Sequence, residues 1–585
     1  LELRSHVNDA GASSGGEEWF LGHGPRRTPR SSLAPTARQV DDFVIPILRA
    51  ALAGRPEGDV LTASLVAQGK LGRRSDESPA AFVGRFTPHL RDPNQEVAET
   101  AALALGMSAE PAAVATLRDL LLATARGRAL VGKSEVPYRT RAFAAYGLGL
   151  VAARSDSTKL RQAIAEQLVT AIEDFELAAP DVEVAAVIAL GLVPLTPEPQ
   201  IPRLDSGRRP GPHVVHVLSL RSQVAYLMGL LHRTPARGDG AHRIVRAHAV
   251  TALGRLLEHA PDGLRATVVP LFLRILRQAS REPREVRLSA VLALGLVGDA
   301  DEDELDRRVR DTLARVVKGG RLQERRFALI SLARVACRPG AGEPGAGQAD
   351  CRRHLLRSLA NGRTELRPWA ALALGVFGRE LLDLGQSPDE STSRALRHVA
   401  ENCKRPQEIG AYALALGLRR DPEGVSILET KLEEMSDPGA QGMLILALGL
   451  LGERSAIESV REVVAGAKYK PELLWNAAIG LALLGDKDSV PQLLDMLREA
   501  KGLGSQAALA SALGLVGDAR SLEPLVAMAG DPSLTQGART FATVALGLVC
   551  DRELLPWNFS VSEGVNYVAA TPTLLGSANG VLDIR

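Results

Sequence analysis

The sequence predicts an all-α protein, a right-handed α-α superhelix of about fourteen stacked helix pairs. Three observations carry this. A six-residue phrase, AxxALG in its strongest form, recurs along nearly the whole chain. The runs that contain it are 12 to 16 residues long, apolar at helical spacing and free of internal proline. Residues that start and stop helices bracket those runs. The 585 residues are 45% hydrophobic, 24% charged and 4% aromatic, with a formal net charge of +2. Such aliphatic content excludes a wholly disordered chain. No run of 18 apolar residues marks a membrane-spanning helix. Four cysteines in this length do not make a disulfide framework.

Residues 1–35, rich in Gly, Ser, Arg and Pro from Asn8 onward, read as a flexible arm, with a Trp19-Phe20-Leu21 island inside it. The first residue is Leu1, so the reading leaves room for an upstream start or a cleaved signal peptide.

The repeats fill 36–550. Strong copies of the phrase end at Gly106, Gly149, Gly191, Gly254, Gly295, Gly375, Gly417, Gly449, Gly514 and Gly547. Weaker ones are Ser64–Gly69, Val224–Gly229, Ala328–Ala333 and Ala477–Ala482, fourteen in all. Their ends lie mostly 37 to 43 residues apart as far as Gly417 and 32 or 33 apart after it, and one step of 25, Gly229 to Gly254, is irregular. Asp92-Pro93, Glu282-Pro283, Asp437-Pro438 and Asp531-Pro532 place an acid at an N-cap and proline in the first turn. Gly298, Gly452, Gly485 and Gly517 end the runs where the chain turns out of a helix. Between copies lie second amphipathic segments, such as Ser157–Phe175, Gly263–Gln278, Glu423–Met435 and Asp488–Ala500. The unit is therefore helix–turn–helix.

A mid-helix glycine costs about 0.8–1 kcal/mol relative to alanine. Twelve copies carry one, which close approach of neighbouring helices must offset. The small residue two places earlier, such as Ala104, Ala189, Ala293 or Ala447, lies about 200° around the helix. The motif helix thus has small residues on opposite sides, suited to a stack. Insertions at Arg126–Pro137, Pro194–Pro212 and Pro339–Asp350 read as loops, and the non-periodic tail 551–585 as a cap on the last helices.

With this pattern the chain resembles HEAT-repeat proteins over about 36–550, and its 32–33-residue units resemble the short bacterial repeats related to phycobilisome lyases. That resemblance implies a solenoid and, most often, a binding role. Two enzymatic relatives of the repeat are not supported. Iron hydroxylases of this architecture use His-Glu pairs, where this chain has Ala247-His248-Ala249; for the bilin lyases, no position marks a chromophore pocket.

No GxxxxGK[ST], GxGxxG, GxSxG or HExxH motif marks an active site, so no catalytic residue and no cofactor is assigned. For metal, the strongest candidates are Cys337, Cys351 and His354 across a Gly-rich stretch, a spacing foreign to standard zinc fingers. The histidines from His213 and His216 to His259 lack a Cys or carboxylate cluster beside them. Residues 201–340 carry 25 Lys+Arg against 14 Asp+Glu, and residues 421–585 carry 12 against 21. Arg208, Arg209, Arg243, Arg246, Arg325 and Arg326 are the candidates for meeting an acidic partner. Tyr226 is the only Tyr or Trp of the basic stretch, which leaves little base-stacking surface for nucleic acid. The expected function is a non-enzymatic scaffold or adaptor whose partner is another protein; the alternatives are a lyase-like or metal-dependent enzyme subunit on the same repeat scaffold, and nucleic-acid binding through the basic middle repeats.

Overall fold

The computed structural model describes residues 34–550, apart from 55, 57, 175–178, 198–215, 233–238, 259, 279–280, 339, 341–344, 468–469 and 487. Every regular element among them is helical, and the fold is an all-α, HEAT-like array of helix pairs. None of the described helices is long and apolar enough to cross a membrane.

The chain divides into two units, one built from residues up to Leu71 and from Gly298 onward, the other from Gly72–Val297. A π-turn at Val40–Val44 leads into α1 (Ile45–Gly54) and α2 (Gly58–Leu71) of the first unit. The second unit runs through α3 (Pro79–Phe86), α4 (Gln95–Met107), α5 (Ala113–Leu121), α6 (Ala125–Val131), α7 (Tyr138–Arg154), α8 (Thr158–Glu173) and α9 (Pro180–Leu190). It continues with α10 (Leu220–His232), α11 (Asp239–Leu257), α12 (Asp262–Arg277) and α13 (Arg284–Val297). The first unit then resumes with α14 (Glu304–Gly319), α15 (Leu322–Cys337), α16 (Gly345–Asn361), α17 (Arg367–Asp383), α18 (Glu390–Glu401), α19 (Pro406–Leu418) and α20 (Gly424–Glu434). It ends with α21 (Pro438–Leu451), α22 (Ile457–Gly466), α23 (Pro471–Leu483), α24 (Val490–Glu499), α25 (Leu503–Val516), α26 (Leu522–Gly530) and α27 (Gln536–Cys550).

Motif helices stack on motif helices, and each has an outer helix at its side. The stack has one dominant register: the glycine that ends one motif meets the small residue two places before the glycine of the next. In the second unit Gly149 faces Ala189, Gly191 faces Ala252 and Gly254 faces Ala293; in the first, Gly375 faces Ala415, Gly417 faces Ala447 and Gly449 faces Gly480. A Cβ on Gly417 would stand 2.6 Å from the Ala447 carbonyl oxygen, so only glycine lets the backbones touch. Gly514 departs from the rule and faces Leu548. This packing buries motif helices nearly all round: every residue of Val97–Met107 in α4 and of Thr140–Ala152 in α7 is buried.

Several sequence expectations are corrected. The copy Val224–Gly229 lies on α10, which packs beside α11 as its outer helix, while α9 stacks directly on α11. The 25-residue step therefore joins an outer helix to its own motif helix, and Gly229 has open space where a Cβ would go. Arg126–Pro137 contains the helix α6 rather than a plain loop, and the second half of Pro339–Asp350 is already α16. Asp437 caps its helix through the Ala440 N–H at 2.8 Å, but Asn94 rather than Asp92 caps α4. Asp531 holds the Ser533 N–H, upstream of where α27 begins. Gly452, Gly485 and Gly517 do leave their helices in the left-handed region.

The first helix pair in sequence is the last in space within its unit. Gly547 of α27 faces Ala67 of α2, in the same glycine-to-small-residue register as the joints between consecutive repeats. The arm 1–35 lies almost wholly, and the tail 551–585 wholly, outside the described residues.

Candidate functional site

Because glycine and the preceding small residue take up two sides of a motif helix, what reaches solvent falls at two other places: the residue just before the phrase and its third residue. These are three apart and share a helix face. On consecutive helices of the first unit they give Ile330 (α15), Trp369 and Leu372 (α17), Ala411 and Leu414 (α19) and Met443 (α21), all half-buried and apolar. Equal register along the stack sets these residues side by side in a strip. The same positions in α27 carry half-buried Phe541 and Val544. In the second unit Leu103 and Tyr146 hold the third place fully covered, and Ile188 and Leu292 are half-buried.

Arg326 lies beside this strip, its guanidinium 5.8 Å from the centre of the Trp369 ring, a cation–π contact. It is one of the candidates for meeting an acidic partner, and it is half-buried against this aromatic. Arg325 is likewise engaged: its Nε donates to the Val317 carbonyl at the end of α14, 2.7 Å away. Arg141, Arg367 and Arg539 repeat this contact, their Nε donating to Leu121, Leu359 and Ala529 carbonyls at the ends of the preceding outer helices. All four stand three residues before the motif. A cation there meets the negative end of the outer helix and satisfies one of its last carbonyls. Arg246, at the same place, pairs with Glu282 at 2.7 Å. Arg243 is exposed, and Arg208 and Arg209 lie outside the described residues.

A second set of arginines ties successive outer helices together. Arg352 reaches Asp389, Arg397 reaches Asp421, and Arg461 holds Asp486 with two bonds, Nε–Oδ2 at 2.8 Å and Nη2–Oδ1 at 2.5 Å. Asp421 and Asp486 are buried, and each also accepts the N–H two residues on.

Of the metal candidates, Cys337 and Cys351 are buried neighbours, with the Cys337 thiol donating to the Phe377 carbonyl at 3.4 Å, and His354 is half-buried on α16. Among the described residues the three do not form a ligand cluster. Burial pushes the Cys351 thiol up to about 12 and the Cys337 thiol well above its ordinary value, so both hold their protons at neutral pH. A thiol whose folded pKa exceeds its unfolded pKa stabilises the fold fully below the unfolded value of about 8.5, and that contribution is lost as pH rises toward the folded value. Stability is therefore expected to fall above about pH 9, and Cys351→Ala to remove about 1.4 kcal/mol per pH unit of that slope. Urea titrations of both chains across this range check it; equal slopes contradict it.

The carboxylate cluster that the structure does form was not anticipated. Asp299, Asp301 and Asp306, all buried, bring oxygens within 4.8 Å of one another. The Asp306 carboxylate accepts the Asp299 N–H at 2.8 Å, the Asp299 carboxylate accepts that of Asp301 at 3.2 Å, and Arg310 donates to the Asp299 carbonyl. Gly340, in the left-handed region, lies over them where a Cβ would stand 2.7 Å from an oxygen of Asp299 and of Asp301. With Asp303 capping α14, the cluster is a turn closed by its own backbone donors. Its signal in sequence was the D-x-D-x-D-x-x-D run at 299–306. Elsewhere, His216 meets Glu166 at 2.8 Å on an exposed surface, and His213 lies outside the described residues.

No family model and no curated protein matches the chain. Similar solved structures include an engineered protein (17% identity, covering 80% of this chain and 98% of that one, TM-score 0.28) and Kap121p (15% identity, 87% and 56%, TM-score 0.38). Importin beta is also similar, at 14% identity over 88% of this chain and 74% of that one, TM-score 0.36. The chain spans little more than half the length of Kap121p.

Proposed function

We propose that this protein is a non-enzymatic scaffold that holds a segment of another protein along the strip from Ile330 to Met443. The supporting observation is the strip itself: half-buried apolar side chains in one register on four successive motif helices, with Trp369 and Arg326 at its head. Side chains at one-repeat intervals suit an amphipathic helix or an extended peptide that presents apolar residues at regular spacing. Trp and Arg are the side chains that most often anchor such contacts. Arg141, Arg325, Arg367 and Arg539 serve helix ends and Arg246 is paired with Glu282, so recognition rests on apolar contact more than on basic charge.

Replacing Leu372 or Leu414 in turn by a photo-crosslinking residue in the full chain is expected to yield one dominant protein adduct in cells, against none from exposed Glu433 on α20. Leu414→Asp is expected to weaken the adduct from position 372 by roughly 10- to 100-fold, the equivalent of about 1.5–3 kcal/mol for one buried leucine. Equal adducts from strip and outer helix overturn this reading.

A further inference from the structure

The joint between α2 and α27 differs from the others of its unit in what connects its two sides. Consecutive repeats are tied within a few tens of residues, as in Arg352–Asp389 and Arg461–Asp486, which are 37 and 25 apart in sequence. At the α2–α27 joint the Gln536 amide donates to the Asp59 carboxylate at 3.1 Å across a separation of 477. The packing is nevertheless that of a repeat joint: a Cβ on Gly547 would stand 2.9 Å from the Ala67 Cβ and 3.0 Å from its Cα, and one on Gly530 of α26 would stand 3.1 Å from Ile47 of α1. Leu48, Leu52, Leu65 and Ala67 of the first pair are all buried.

After α2 the chain leaves through 72–78, which contain no helix and begin at Gly72 in the left-handed region. Arg73 anchors this stretch through Glu110 at 2.7 Å and the Glu77 carbonyl. No turn joins α1–α2 to its seat on α26–α27, which lies at the far end of the described chain. A second copy of this chain carries the same pair, with the same Ala67, Ile47 and Asp59 to present to the seat. We propose that α1–α2 is an exchangeable end-piece: the seat on α26–α27 also accepts α1–α2 of a second copy, and the protein forms a dimer by reciprocal exchange.

Full-length chains in a Cys550→Ser background test this, since Cys337, Cys351 and Cys403 are buried. The double variant Asp59→Cys/Gln536→Cys, treated with a short bis-maleimide, is expected to crosslink within the monomer. Single variants Asp59→Cys and Gln536→Cys, mixed and incubated, are expected to crosslink between chains. The yield should rise about tenfold for a tenfold rise in concentration while dimer is the minor species. It should also exceed that of the mismatched mixture Asp59→Cys with Glu429→Cys at least tenfold. A matched mixture no better than the mismatched one, beside a double variant that crosslinks within its own chain, overturns exchange. Failure of the double variant to crosslink removes the joint and the proposal with it.

Discussion

Gly106→Ala is expected to cost about 3 kcal/mol or more, while Gly229→Ala, the same single methyl in another helix, is expected to stabilise by about 0.5–1 kcal/mol. The added Cβ at 106 falls on the Cα of Gly147, an atom of backbone that no rotamer change can move aside. Both α4 and α7 are buried around this contact, so relief requires separating two packed helices, and the penalty reaches past the usual 1–3 kcal/mol of overpacking. At 229 the Cβ meets nothing within 4 Å, and only the helix propensity of alanine remains. Urea midpoints of the two variants decide the matter. Shifts of the same sign would mean that the motif glycines are not contact residues.

The contrast between these two glycines also marks what the sequence can and cannot convey. Periodic glycine and alanine are legible because one packing constraint recurs in every repeat, and Gly417 on Ala447 is what such alternation demands. Composition does not tell an inner from an outer helix when both are apolar, which is why Val224–Gly229 reads as a motif copy. The spacing does tell: 25 residues from Gly229 to Gly254 cannot hold an outer helix and a motif helix besides. Arg325 reads as surface charge because a single arginine carries no orientation, yet Arg141, Arg367 and Arg539 at the same offset from the motif point to one shared structural task. The seat of α2 on α27 leaves no local trace, since its partners are hundreds of residues apart. The strip from Ile330 to Met443 emerges only once the register of the stack fixes which motif positions remain open.

Arg461→Leu is expected to destabilise the protein by about 3 kcal/mol, and Asp486→Asn by about 1 kcal/mol, although each breaks the same pair. The difference follows from burial. The Asp486 side chain is 3% exposed and that of Arg461 30%. Without the guanidinium, the carboxylate keeps the Asp488 N–H but loses both charged donors in a place water does not reach. Without the carboxylate, Arg461 turns to water and to Glu458 and Asp488, already within 4 Å. The asparagine oxygen retains the backbone bond. The double variant is expected to be more stable than the sum of the two losses predicts, by about 1 kcal/mol or more, because the uncompensated charge is gone. Urea unfolding of the three variants completes the cycle, and equal single losses contradict it. The same kind of pair bears on binding. Its counterpart Arg397–Asp421 fixes the spacing of α18 and α20, the outer helices behind the motif helices that carry Leu414 and Met443. Asp421→Asn, which keeps the bond from the Glu423 N–H, is therefore expected to loosen the register of the strip and lower the adduct yield from position 414 without any substitution in the strip.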